Sequence, residues 1–181
     1  MTTLPDRTAL GSPRKRPTPR IRTERLVLRA PRLEDAKTIA TLLNDRRIAE
    51  NTLRIPYPYG IADAQAFIAG ANVNSSETVF LITKRDATVL GACGVAERPA
   101  APPEIGYWLA VPFWGKGYAT EAARAMIDYA FDHLGYEVLH AVRLPVDGGR
   151  PLSHPIARLV RAPRPFPARA RGVDQGPCRE A

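Results

Sequence analysis

Residues 104–135, EIGYWLAVPFWGKGYATEAARAMIDYAFDHLG, constrain this chain more than any other stretch. A short apolar strand runs into a turn broken by Pro112. A glycine pair, Gly115 and Gly117, follows, and then a long amphipathic helix. Ala119, Ala122, Ala123, Met126, Ile127, Ala130 and Leu134 make the apolar stripe of that helix, with Glu121, Arg124, Asp128 and Asp132 opposite. Gly135 suits its C-terminal stop. The first turn of any helix leaves backbone N–H groups without partners, and glycines let a ligand approach them closely. The unit therefore reads as an anion site, with a phosphate as its natural occupant.

The other elements follow from periodicity. Residues 21–30, IRTERLVLRA, predict a strand, with Leu26 and Leu28 on one face and Arg25, Val27 and Arg29 on the other. Ala36, Ile39, Ala40 and Leu43 have helical spacing over 33–43, with Glu34 and Asp35 at the positive end of the helix dipole. Residues 44–60 read as loop, although 44–50 could extend the helix. A second helix is predicted over about 62–71. Strands are predicted at 78–83 (TVFLIT) and 89–95 (VLGACGV), joined by a hairpin-length connection. Pro99, Pro102 and Pro103 predict a loop, then the strand 104–110, and 136–144 is a last strand.

Three chemistries place a glycine loop before a helix. A P-loop needs G-x-x-x-x-G-K-[ST]. Gly115-Lys116 is present, but Ala110 stands where the first glycine belongs and Gly117 where the Ser/Thr belongs. A dinucleotide fingerprint needs G-x-G-x-x-G in a first βαβ unit. Here Thr120 replaces the third glycine, and three strands precede the motif. The third pattern fits. EIGYWL…WGKGYATEA resembles the GNAT superfamily of N-acetyltransferases, in its RimJ/RimL-like branch. The superfamily's pyrophosphate-loop motif, [QR]-x-x-G-x-[GA], is read as Trp114-Gly115-Lys116-Gly117-Tyr118-Ala119, with Trp in place of Gln or Arg. Thr23-Glu24-Arg25-Leu26-Val27-Leu28-Arg29 and Ile55-Pro56-Tyr57-Pro58-Tyr59 agree with the same branch, and the resemblance covers about residues 21–144.

The resemblance implies an α/β fold, a mixed sheet flanked by helices. It implies acetyl-CoA as co-substrate, an amine acceptor (a small molecule or a protein N-terminus), and direct transfer in a ternary complex. The cofactor-binding residues would be Leu109 and Val111, through their backbones beside the pantetheine arm, and Gly115, Lys116, Gly117, Tyr118, Ala119 and Thr120 around the diphosphate. Lys116 would add charge there, or be a solvated loop residue. Glu104 is the candidate base for deprotonating the ammonium, or else an exposed strand-end carboxylate. Tyr57 and Tyr59 would line the acceptor pocket or pack on the sheet, and Tyr107 is a further pocket candidate. Cys93, in an apolar strand, is expected to be inert. His133, His140 and His154 lack ligand spacing, so no metal is expected.

The formal net charge of +8 raises the question of nucleic acid. Residues 1–20 and 145–181 carry +4 each, and 21–144 carry none of the excess. A nucleic-acid binder concentrates basic charge on its folded body. The charge here argues against nucleic acid, unless the tails themselves engage it or a ribosome. No run approaches the ~18 apolar residues of a membrane span, and the N-terminus lacks an apolar core for secretion, so a cytoplasmic protein is expected.

Three regions result: a disordered basic tail (1–20), an acetyltransferase domain (21–144), and a Pro/Arg-rich tail (145–181) expected to be disordered, with only 156–160 periodic. The family's usual C-terminal helix and two strands are expected to be lacking, which would leave the 136–144 strand as an exposed edge. A shifted reading frame in GC-rich DNA would produce such Arg, Pro, Ala and Gly text. The alternative function is accordingly an inactive remnant that binds CoA without turnover.

Overall fold

The computed structural model describes residues 18–52, 54–73, 76–142 and 156–160. Seven strands form one sheet in chain order: β1 (Ile21–Arg22), β2 (Leu26–Arg29), β3 (Glu77–Lys84), β4 (Val89–Arg98), β5 (Ala101–Leu109), β6 (Val138–Val142) and β7 (Ile156–Val160). Neighbours run antiparallel except β5 and β6, which are parallel. The crossover between those two is α4 (Tyr118–Asp132). Helices α1 (Ala36–Leu43), α2 (Arg46–Glu50) and α3 (Ile61–Val73) lie between β2 and β3 in the chain. This is the expected α/β mixed sheet.

Two apolar clusters, one on each face, hold the layers together. Ile39, Leu43, Ala64 and Ile68 pack with Val79, Leu81 and Trp108 on one side. Ala122, Met126 and Ala130 pack with Leu26, Leu28, Phe80 and Ile82 on the other. Covering both faces explains why β3 reads as an unbroken apolar run rather than an alternating one. It also explains why Val27, expected on a polar face, is 7 % exposed.

The structure departs from the sequence expectations at several elements. Residues 21–30 are a hairpin, with Ile21 opposite Leu28 and Arg22 opposite Val27. Thr23 N–H donates to Leu26 O at 3.0 Å, and Leu26 N–H donates to Thr23 Oγ1 at 3.0 Å, which closes the turn. Residues 46–50 form a separate helix, α2, because Asp45 caps it by accepting from Arg47 N–H at 3.0 Å. Pro102 and Pro103 belong to β5 instead of a loop. They fall near an irregularity in the β4–β5 register, at the start of a strand, where a missing N–H is tolerated. Finally, β7 pairs along β6, so β6 is not the exposed edge that was expected. The remainder of 145–181, and residues 1–17, lie outside the described residues.

Candidate functional site

The parallel pair β5–β6 is matched at Glu104 with His140 and Ile105 with Ala141. Further along β5 no partner strand is matched on that side among the described residues, and the sheet opens. Ala110 N–H donates to Leu90 O at 2.8 Å. Alternation of the antiparallel ladder then turns the N–H and C=O of Leu109 the other way, into the opening. A cavity of about 910 Å³ lies there. It is lined from both faces of the sheet, by Phe67, Val79 and Trp108 on one and by Cys93, Leu109, Tyr118 and Ile127 on the other. A ligand entering from one face can thus meet a ligand entering from the other.

The glycine loop borders this cavity. Gly115 and Gly117 have φ of 71° and 77°, in the left-handed region that favours glycine. From Gly115 through Thr120 the backbone N–H groups find no acceptor among the described residues, and the first amide bonded back is that of Glu121, to Gly117 O at 3.1 Å. Val111 N–H is likewise without an acceptor among the described residues. Consecutive amides around left-handed residues at a helix start form a concave donor surface for an anion. Lys116 Nζ donates to Pro112 O at 2.9 Å, which folds its charge back on the loop. Trp114 Nε1 donates to Leu109 O at 2.6 Å, so an acceptor on the open edge is held by the loop itself.

A contact the sequence did not reveal ties this loop to the β1–β2 turn. Glu121 Oε1 accepts from Thr23 Oγ1 at 2.6 Å and from Arg25 N–H at 2.9 Å, and Oε2 accepts from Arg25 Nε at 2.7 Å. Arg25 Nη1 donates to Lys116 O at 3.0 Å, and the guanidinium lies 4.7 Å from the Tyr118 ring centroid. Burial raises the Glu121 carboxyl, but the bonds from Thr23 and Arg25 outweigh it and hold the group below the usual carboxylate range. Both halves of this cluster fall in motifs quoted for the family resemblance. Their contact, across about a hundred residues of chain, left no local signal.

The other candidates separate by position. Glu104 lines the cavity, and its Oε2 accepts from Arg98 Nε at 2.9 Å with Arg54 Nη2 at 3.7 Å. Tyr107 also lines it and is 56 % exposed. Tyr57 and Tyr59 do not. Tyr57 is exposed, while Tyr59 is buried in the α1/α3 cluster, where burial and the nearby Asp63 push its phenol up to about 12. Cys93 is buried and its thiol is pushed up to about 12 by that burial. Among the described residues no group of His, Cys, Asp and Glu could hold a metal ion, and no described helix is long and apolar enough to cross a membrane.

The acetyltransferase (GNAT) domain family matches residues 25–146. The chain belongs to that family. Its similarity to an uncharacterized N-acetyltransferase, p20, of Bacillus licheniformis is 33% identity over 125 residues, 66% of this chain and 70% of the relative. An acetyltransferase from Agrobacterium tumefaciens is 26% identical, with a TM-score of 0.60 over 71% of this chain and 75% of that one. The RimJ of Mycobacterium smegmatis, solved in complex with CoA-disulfide, shares the fold at 21% identity and a TM-score of 0.57, over 67% and 64% of the two chains. The GNAT match spans β2 through β6 and so includes the split between β5 and β6 and the glycine loop.

Proposed function

We propose that this GNAT chain transfers the acetyl group of acetyl-CoA to an amine by direct attack. One observation carries the reading: the unpaired amides of Gly115 to Thr120 border the same cavity as the opening between β5 and β6. The diphosphate would sit on those amides, with Lys116 charge nearby. The pantetheine arm would extend along the open edge of β5 as a peptide adds to a sheet. Leu109 would supply its N–H there, its O being held by Trp114 Nε1 at 2.6 Å, and the Val111 N–H would receive the developing oxyanion of the thioester. Tyr107 would border the acceptor. Glu104 would take the proton from the acceptor ammonium, directly or through water, because only the neutral amine is nucleophilic. The amine nitrogen then bonds to the acetyl carbon, the C–S bond breaks, and the CoA sulfur leaves as thiolate or thiol. The buried Cys93 thiol supports transfer without an acetyl-enzyme.

A second reading, a chain that binds CoA without turnover, draws on the Pro/Arg-rich composition after residue 145. Calorimetry with CoA and a thiol-release assay with acetyl-CoA and a panel of amines and N-terminal peptides separate the two. Binding with release supports the transferase, and binding without release supports the remnant. For the transferase, Glu104→Gln is expected to lower kcat/KM by about 10²–10⁴, the range for loss of a general base, with the loss concentrated in kcat. Unchanged kcat in that variant would remove Glu104 from the mechanism.

A further inference from the structure

Building on that reading, we propose that Arg25 and Glu121 are positioning residues for the diphosphate: they aim the glycine-loop amides at it and cancel a carboxylate that would repel it. First, Lys116 O is held by Arg25 Nη1 at 3.0 Å. In a trans peptide the C=O of one residue and the N–H of the next point in opposite directions. Fixing Lys116 O toward Arg25 therefore turns Gly117 N–H away from Arg25, to the side where the neighbouring amides stand unpaired.

Second, Glu121 lies in the first turn of α4, close to the positive helix end that a diphosphate would use. Left uncompensated there, its charge would compete with the ligand for the same field. The structure compensates it fully. Both carboxylate oxygens are bonded, and the pairing cation is Arg25, at 2.7 Å. The Glu121 side chain is 16 % exposed and that of Arg25 44 %, so solvent reaches the pair chiefly from the arginine side.

Third, the guanidinium is itself fixed. It lies over the Tyr118 ring at 4.7 Å, and a Cβ added at Gly117 would come within 3.4 Å of Arg25 Nη2. The loop thus packs directly against this one side chain. Lysine has the charge but not the fork, and could not hold Glu121 and Lys116 O together.

The test is the calorimetric Kd for CoA, measured on the full chain. Arg25→Ala is expected to weaken CoA about tenfold or more, because it frees the Lys116–Gly117 peptide and unmasks Glu121. Adding Glu121→Gln to that variant is expected to recover at least about threefold, because the repelling charge is then gone. A bond that merely holds the fold together would recover melting temperature and affinity in step, so melting is recorded for each variant, and affinity recovered beyond what the melting temperature recovers marks the positioning role. Arg25→Lys, the gentler change, is expected to bind about threefold more weakly than the wild type while melting at the same temperature. The idea is overturned if Arg25→Ala or Arg25→Lys binds CoA like the wild type, or if the double variant recovers nothing. Wild-type chain that binds no CoA would overturn the acetyltransferase reading first, and this one with it.

Discussion

At the scale of single residues, Gly115 and Gly117 hold φ of 71° and 77° directly before α4, and the direction of the amides around them depends on that backbone. Gly115 and Gly117 announce themselves because left-handed backbone before a helix calls for glycine. Nothing in the text distinguishes Tyr57 from Tyr59, two residues apart on a proline-rich loop. Burial does, with Tyr59 packed in the core and Tyr57 55 % exposed. Arg25 and Glu121 carry ordinary surface residue types, and only the fold brings them within 2.7 Å. Gly117→Ala tests the loop at this scale. A Cβ at φ 77° is strained whatever the space, at a cost of about 1–2 kcal/mol in left-handed backbone. The added methyl would also press on Arg25 Nη2. The variant is expected to melt lower than the wild type and to lose CoA affinity in calorimetry. Gly70→Ala is the control, because a Cβ there meets nothing within 4 Å and its helical backbone is not strained.

At the scale of elements, apolar periodicity located α1, α3, α4 and the central strands, because burial on a sheet or helix face is what periodicity records. It missed the hairpin of β1 and β2. The turn there is made by a threonine hydroxyl and a distant glutamate rather than by Gly or Pro, so no local turn signal marks it. A comparable side-chain device joins β2 to α1. Asp35 accepts two bonds from Arg29, both at 2.8 Å, and one from Arg32 N–H at 2.8 Å, which stops the chain after Pro31 and starts the helix. The two side chains are 11 % and 8 % exposed. Asp35→Ala would leave the Arg29 charge buried and unpaired, at a cost of about 3 kcal/mol, read as a lower denaturant midpoint with unchanged m. The pair also sets a pH dependence. Burial alone would raise the Asp35 carboxyl, but the bonds from Arg29 and Arg32 reverse the sign and lower it. The folded value is therefore below the unfolded one, near ~3.9. Its stabilisation is complete above that unfolded value and is lost as pH falls from there through the folded value. A stability profile that is flat from pH 5 to pH 2, or that matches Asp35→Ala across that range, would contradict this.

At the scale of the whole molecule, the family was readable because several motifs occur in one order along residues 21–144. The C-terminal side was harder to read. Its composition, rich in Pro and Arg, masks a short strand whose pairing partner lies earlier in the chain. β7 matches β6 residue for residue, from Val142 opposite Ile156 to Val138 opposite Val160. This matters for the site, because β6 forms one side of the opening, and a strand paired on its outer edge is held against fraying. Without β7, β6 would present its free backbone groups to other chains. A chain ending at residue 142 is therefore expected to melt at least about 2 °C below one ending at residue 161, the shift that about 1 kcal/mol produces in a chain of this size. It is also expected to scatter more light at equal concentration and to bind CoA more weakly. Should the two chains melt and bind alike, the β6–β7 pairing would contribute nothing to the fold, and the opening would be maintained by α4 and β5 alone.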